Sequence, residues 1–322
     1  MIISHFYDWQ KLPDSMTEDL MAEFSWHGAK YLTINGHQLA EHVDDASGYL
    51  RNFGAHMRAQ HLETRDAHAP AGDSWDLNIV DPDQRRKIFK VHSMFLEMLA
   101  DMGVHTYTMH VGTRDYMPPH CSELPPLRRL AEEMLELLLP VAEKSQIILA
   151  VENSFEAPNA PDEVVGLVER FKSPWLRCCF DAGHACRMAD FEGRDLSLYR
   201  PGYIEESWHG HIILEKDAYA KMKPFTVTAH LHDNNGYSDQ HKLAFDGCID
   251  WHKLLSELRD TPSLFSIQNE MAHSKHHIPV GRACEAFAAI EDFFATGVLN
   301  TKTDHEHRFQ TVNSTLLKNG EN

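Results

Sequence analysis

Short apolar runs alternate with longer stretches in which apolar residues recur every three or four positions, from the first residue to about residue 300. The short runs have the length and composition of strands, and the stretches between them have the helical period. Eight strands are predicted, at about 2–6, 31–35, 64–69, 105–111, 147–152, 176–181, 226–231 and 265–270. Helices are predicted near 15–28, 44–59, 82–101, 161–171, 250–259 and 280–295. The clearest helix lies between the fourth and fifth strands, where Leu127, Leu130, Ala131, Met134, Leu137, Leu138 and Val141 mark one inward stripe. Asp81 before Pro82, and the run Pro161-Asp162-Glu163, read as helix starts with early acidic residues that favour the dipole. The alternation is that of an α/β protein with a parallel sheet, and eight such units close most naturally into a (β/α)8 TIM barrel. A single barrel is expected over 1–300, with rim insertions at about 185–225 and 232–250 and a polar tail over 301–322.

Acidic residues and histidines stand at the ends of these apolar runs. His68 closes one, His110 the next, and Glu152 the next. Asp181 and His184 follow, then His230-Leu-His232-Asp233, Asp239 and His241, and finally Glu270. In a barrel of parallel strands all of them emerge on the carboxyl-terminal rim, where barrel enzymes place their chemistry. Each is weak alone, because a histidine in a strand is more often a hydrogen-bonded core residue than a ligand. Six successive strand ends with a nitrogen or oxygen ligand are hard to explain that way, since polar groups so dense are costly to bury unless they bind something.

Charge and cysteine content narrow the partners. With 30 basic against 48 acidic residues the formal net charge is −18. A protein that tracks a phosphate backbone needs a positive surface, so nucleic acid is a poor first expectation. The one basic cluster, Arg85-Arg86-Lys87, reads as a solvated helix face. Cysteines 121, 178, 179, 186, 248 and 284 include no Cys-x-x-Cys pair, and they read as reduced core thiols of a cytoplasmic protein. The first residues are too short an apolar stretch for a signal peptide, and no run approaches the roughly 20 apolar residues that span a bilayer, so no membrane partner is expected.

The motifs His68-Ala69-Pro70, His110-Val111-Gly112, Val151-Glu152-Asn153, Asp181-Ala182-Gly183-His184, His230-Leu231-His232-Asp233-Asn234, Asp239-x-His241 and Glu270 resemble those of the xylose isomerase-like TIM-barrel superfamily. The resemblance runs from about residue 60 to 275. That superfamily holds sugar (phosphate) isomerases and epimerases, inosose dehydratase-like proteins, and the endonuclease IV type of apurinic endonuclease. In the ketose 3-epimerase branch a Glu, an Asp, a His and a second Glu hold one divalent ion, which the resemblance maps onto Glu152, Asp181, His230 and Glu270. It also implies that the two glutamates move protons and that His184 touches the substrate. The epimerase's substrate-binding segment is not reproduced, since Asn153-Ser154-Phe155-Glu156 stands in its place, and no arginine follows shortly after His230. The endonuclease IV branch implies nine ligands for three zinc ions, here His68, His110, Glu152, Asp181, His184, His230, Asp239, His241 and Glu270.

Three carboxylates and one imidazole form a hard ligand set that suits Mn²⁺ first, with Mg²⁺, Co²⁺ or Zn²⁺ as alternatives and no organic cofactor. The expected chemistry is proton abstraction beside a cation-polarised carbonyl by Glu152 or Glu270, through an enediolate. Return of the proton isomerises or epimerises. Expulsion of a β-substituent instead makes a dehydratase or a lyase of 3-oxo-glycosides. His68, His110, His184, Asp239 and His241 are expected to bind sugar hydroxyls or a second metal, and Trp75, Trp208 and Phe155 to stack on a ring. No glycine-rich phosphate cradle is present, which favours a free sugar or glycoside. A homo-oligomer is implied by resemblance alone, with a heteromer left open. Three readings result, in order: a sugar enzyme, an endonuclease IV-like DNA-repair enzyme, and a metal-binding barrel without activity.

Overall fold

The computed structural model describes residues 1–72, 74–112, 124–191, 193–199 and 214–301. Eight strands, β1 (Ile2–His5), β2 (Tyr31–Leu32), β3 (Asp66–His68), β4 (Thr106–Met109), β5 (Ile148–Glu152), β6 (Leu176–Asp181), β7 (Thr226–Leu231) and β8 (Ser266–Asn269), form one sheet. Its order is β2-β1-β8-β7-β6-β5-β4-β3, and every pairing in it is parallel. The two outer strands meet through isolated bridges, Tyr31 with Glu63 and Ile34 with Ala67, so the ring closes there by single contacts rather than a ladder. The helices lie between successive strands, as a (β/α)8 barrel requires.

Strand alternation sets what the barrel encloses. Outward positions such as Leu32, Ala67, Tyr107, Leu149, Val151, Phe180, Leu231 and Ile267 join the apolar core shared with the helices. Most inward positions are polar, with Ala150 and Cys179 making a small apolar cluster of their own. Ser266 on β8 donates to the Asp66 carboxylate on β3 at 2.7 Å, a bond between strands that are not neighbours and therefore one that crosses the barrel interior. Thr106 also donates to Asp66, and Ser4 pairs with Thr33 at 2.9 Å. Burial pushes the Asp66 carboxyl above its ordinary range. A floor of small, mutually bonded hydroxyls leaves the space above it for larger side chains at the strand ends.

Several elements differ from the sequence reading. The helices Pro82–Asp101 and Pro161–Phe171 have the expected bounds, and Asp81 caps the first by accepting from Gln84 N at 2.7 Å. In the helix Leu124–Ser145 the buried stripe is Leu127, Ala131, Met134, Leu135, Leu138 and Ala142. Leu137 is 52% exposed, because at 100° per residue it lies well off that stripe. Arg85 is no solvated charge: its guanidinium donates to the carbonyls of Leu77, Ile79 and Leu130 and pins the segment after β3. The region read as an insertion after β6 opens with a helix, Ala182–Met188, and a second helix, Ala218–Met222, precedes β7. Cys178, Cys179 and Cys284 are core thiols, but Cys186 is half-buried and Cys248 exposed, both in rim segments. Cys121, Trp208, positions 200–213 of that region and positions 302–322 of the tail lie outside the described residues.

Among the described residues no helix is long and apolar enough to cross a membrane.

Candidate metal centre

Each expected residue is delivered to the rim by a local device. His68 and Glu152 are the last residues of β3 and β5, while His110 and Glu270 stand one residue beyond β4 and β8. Asp181 ends β6 and caps the next helix, its Oδ1 accepting from His184 N at 2.6 Å, which fixes the separation of the two side chains. His230 is the next-to-last residue of β7. The chain then doubles back, Asp233 pairing antiparallel with Lys242, and this carries Asp239 and His241 over the opening. His241 adopts a left-handed backbone (φ 52°), an uncommon conformation for a residue with a side chain and one that its surroundings must hold.

The nine residues converge around Glu152. Its Oε2 lies 3.1 Å from both His68 Nε2 and His110 Nε2, and its Oε1 lies 3.2 Å from His230 Nδ1 and 3.5 Å from His184 Nδ1. Glu270 Oε2 is 3.2 Å from His230 Nδ1. His184 Nδ1 is 3.4 Å from Asp181 Oδ1, and its Nε2 faces Asp239 Oδ1 at 3.7 Å. His241 Nε2 is 3.1 Å from Asp239 Oδ2. Among the described residues three sets have ligand atoms all within 4.8 Å of one another: Glu152, Asp181, His230 and Glu270; His68, Glu152 and His230; and His184, His232, Asp239 and His241.

Burial works against every charge here, yet mutual attraction outweighs it. His230 and His110 hold the Glu152 carboxyl well below the usual range. His230 does the same for Glu270, and His241 with His184 for Asp239. In return Glu152 raises His110 to about 9, and Asp239 raises His241 to about 9. Asp181 and Asp239 raise His184 well above its ordinary value, and Cys179, Glu152 and Glu270 do so for His230. Four carboxylates in one buried cluster need positive charge beside them, and protons on the imidazoles supply it. A divalent cation supplies the same charge at one point. The residues present fit one: the donors are carboxylates and imidazoles, and the buried atoms Asp239 Oδ1 and His232 Nδ1 have no hydrogen-bond partner.

Outer partners set which ring nitrogen faces the cluster. His68 Nδ1 pairs with Ala69 O at 2.6 Å, His241 Nδ1 with Glu270 O at 2.6 Å, and His184 Nδ1 with Asn153 O at 3.0 Å. In each the backbone carbonyl keeps a proton on Nδ1; in His68 and His241 this turns Nε2 toward the carboxylates, and in His184 it turns Nε2 toward Asp239 while Nδ1 stays beside Glu152 and Asp181. Asn153 ties the ends of β5 and β6 by accepting from Asp181 N and donating to Asp181 O. Asn159 accepts from Val111 N and Gly112 N and so fixes the turn after His110. Asn159 did not stand out in the sequence, and Asn153 appeared there only within a motif, without a role of its own. His232 did appear there, in a dense polar run, without a role of its own. It is fully buried, 3.2 Å from Asp181 Oδ2, and stacked on His241 at 3.8 Å. Its spacing of two from His230 is the signal that places both inside the barrel.

Gly183 permits this packing, since a Cβ there would stand 2.0 Å from His232 Cε1. Gly183→Ala gains about 1 kcal/mol of helix propensity but must displace a fully buried ring, at about 1–3 kcal/mol. The displacement wins, so a lower melting temperature and weaker cation binding are expected; an unchanged melting curve contradicts this.

Above the cluster lies a cavity of about 390 Å³ whose walls include Trp75, Ser154, Phe155, Glu156, His184 and Glu270. Phe155 meets His184 edge-on at 5.5 Å. Among the described residues no lysine or arginine lines it.

A parallel eight-stranded barrel with a buried carboxylate–imidazole cluster at its carboxyl-terminal rim defines the class. Within it, the chain belongs to the xylose isomerase-like TIM barrel family, whose sequence model matches residues 22–286. A comparison with curated protein sequences finds no match. Among solved structures, a D-tagatose 3-epimerase-like protein superposes with a TM-score of 0.67 at 17% identity, over 92% of this chain and 97% of that one. A 3-keto-D-glucoside 4-epimerase from E. coli superposes with a TM-score of 0.63 at 15% identity, over 91% and 99%. A xylose isomerase-like barrel from Mycobacterium smegmatis in complex with magnesium gives 0.64 at 13% identity, over 92% and 96%. At these identities the likeness is one of fold.

Proposed function

We propose that this chain is a divalent-cation-dependent enzyme that moves a proton next to the carbonyl of a sugar or sugar derivative, in the manner of an isomerase or epimerase. The observation that carries the reading is the set Glu152, Asp181, His230 and Glu270, with ligand atoms all within 4.8 Å, at the base of a cavity of sugar size. Mn²⁺ is the cation this three-carboxylate set suits best, with Mg²⁺, Co²⁺ and Zn²⁺ next. When bound, the cation supplies the Lewis-acid charge that makes the neighbouring C–H acidic.

The two glutamates differ in access. Glu152 is fully buried beneath four imidazoles and anchors the cation. Glu270 lines the cavity, so its carboxylate is the group that takes and returns the substrate proton. His230 holds it ionised at neutral pH, and so weak a base abstracts a C–H proton only where a bound cation has made that C–H acidic. His184, on the cavity wall with its ring oriented by Asn153 O, binds a substrate hydroxyl. Phe155 and Trp75 offer apolar faces for a sugar ring. A wall without lysine or arginine among the described residues favours an uncharged sugar or glycoside over a sugar phosphate. β-Elimination from a 3-oxo-glycoside uses the same first step. Similar folds among epimerases of free and glycosidic sugars support this choice.

Solvent exchange tests the step shared by all these outcomes. The Mn²⁺-loaded protein, incubated in D2O with free ketoses and 3-oxo-glycosides, is expected to place deuterium on the carbon beside the carbonyl. Chelator abolishes the exchange, and Glu270→Gln reduces it by about 10²–10⁴-fold. Absence of exchange across the panel overturns the reading.

One observation favours a second reading: eight of the nine residues that correspond to the endonuclease IV ligands fall within the three sets, and the ninth, His110, lies 3.1 Å from Glu152. A cluster of up to three cations would then cleave a phosphodiester at an abasic site. The net charge of −18 argues against a nucleic-acid partner. Chelator-sensitive cleavage of an abasic duplex by the zinc-loaded protein, with no sugar exchange, would establish it.

A further inference from the structure

Two thiols distant in sequence face each other at the rim, outside the ligand cluster. Cys186 lies near the end of the helix Ala182–Met188, and Cys248 lies in the returning segment after β7. Their Sγ atoms are 3.3 Å apart across 62 residues of sequence. The other three cysteines among the described residues are buried in the core. The backbone around the pair is already fastened. Asn234 Nδ2 donates to Gly183 O at 2.7 Å, and Cys248 N donates to Asn234 O at 2.9 Å. The helix and the returning segment therefore meet at a fixed point, and the two thiols sit beside it.

We propose that Cys186 and Cys248 form an oxidisable dithiol site that closes to a reversible disulfide with a hydroperoxide as oxidant. A disulfide needs an S–S distance of about 2.05 Å, so closure draws the sulfurs together by about 1.3 Å, within the reach of side-chain rotation. Cys248 is exposed and meets the oxidant first; Cys186 is half-buried directly behind it. The Cys248 thiolate attacks one peroxide oxygen, breaking the O–O bond; the departing hydroxide takes up the proton that the thiol released, leaving a sulfenic acid and one water. The Cys186 sulfur then displaces the sulfenic oxygen as a second water, giving the disulfide. In sum two thiols and one hydrogen peroxide become one disulfide and two waters, and a dithiol reductant reverses the change.

The bond joins the helix that carries His184 to the segment that carries Asp239 and His241. Oxidation therefore fixes the rim loop over the cavity without consuming any residue of the ligand cluster. This follows from the rim geometry and holds whichever reaction the cavity performs.

The test uses the full chain, treated with stoichiometric hydrogen peroxide without denaturant. Peptide mapping is expected to show a Cys186–Cys248 link, a loss of two titratable thiols per chain, and their return with dithiothreitol. Backbone hydrogen exchange over residues 233–249 should slow several-fold in the oxidised protein, and the melting temperature should rise by about 5 °C. Cys248→Ser should keep its remaining Cys186 thiol over the same interval. Cys186→Ser should stop at a sulfenic acid on Cys248 that dimedone traps. A link between other cysteines, crosslinks only between chains, or unchanged exchange over 233–249 in the linked protein would each overturn the proposal.

Discussion

Glu152→Gln is expected to fold, to lose its cation, and to lose turnover by about 10³-fold or more. The carboxylate is shared by the sets on either side of it, with four imidazole nitrogens within 3.1–3.5 Å. An amide of the same size keeps the packing but removes the charge that those imidazoles and a cation both need. Loss of folding is not expected, because each histidine can shed its extra proton once the anion is gone. The check is elemental analysis of the purified variant beside its circular dichroism spectrum. Full cation content in a folded variant would show that Glu152 is not the anchor. Loss of the metal with retained turnover would instead overturn the metal-dependent reading of the whole site.

Removal of the cation should make stability fall as pH rises, and restoring it should reverse that trend. In the cation-free protein His110 and His241 are raised to about 9, and His184 and His230 are raised well above their ordinary value. A raised imidazole contributes its full stability below its unfolded value near 6.5 and loses it as pH climbs through the folded value. The depressed carboxylates of Glu152, Glu270 and Asp239 contribute fully above about 4.5 and fail only at lower pH. Chelator-treated protein should therefore melt highest between about pH 4.5 and 6.5 and lower at pH 9. A divalent cation competes with those protons. If two leave on binding, apparent affinity rises about 100-fold per pH unit near neutrality, until the imidazoles titrate. Melting curves with chelator and with Mn²⁺ at pH 6.5 and pH 9 test both signs. A chelated protein that is more stable at pH 9 would refute the assignment of charge within the cluster.

Elemental analysis together with the solvent-exchange experiment separates the readings of function. A single anchored cation with sugar C–H exchange fits the epimerase-like set, whereas two or three zinc ions per chain fit the full cluster of nine.

Much of this molecule is legible from the sequence because its physics is local and periodic. Apolar runs of strand length, separated by stretches of helical period, imply parallel βα units, and eight such units leave few ways to close. The rim residues follow from the same logic: a ligand at the end of a parallel strand must emerge on one side of the sheet. His68, His110, Glu152, Asp181, His184, His230, Asp239, His241 and Glu270 all meet as that reasoning requires. What the sequence could not decide depends on distances between segments remote in the chain. Only the tertiary structure shows that Glu152 is sealed beneath four imidazoles while Glu270 faces the cavity. The same holds for His232, which becomes a member of the cluster because Gly183 leaves room for its ring. Asp66, an inward strand residue, joins the floor only because Ser266 reaches it across the barrel. The Cys186–Cys248 pair is likewise absent from any local pattern, since 62 residues of chain separate two thiols that the rim brings into contact. Periodicity reports which face a residue occupies; which residues share that face with it is settled by how the barrel closes.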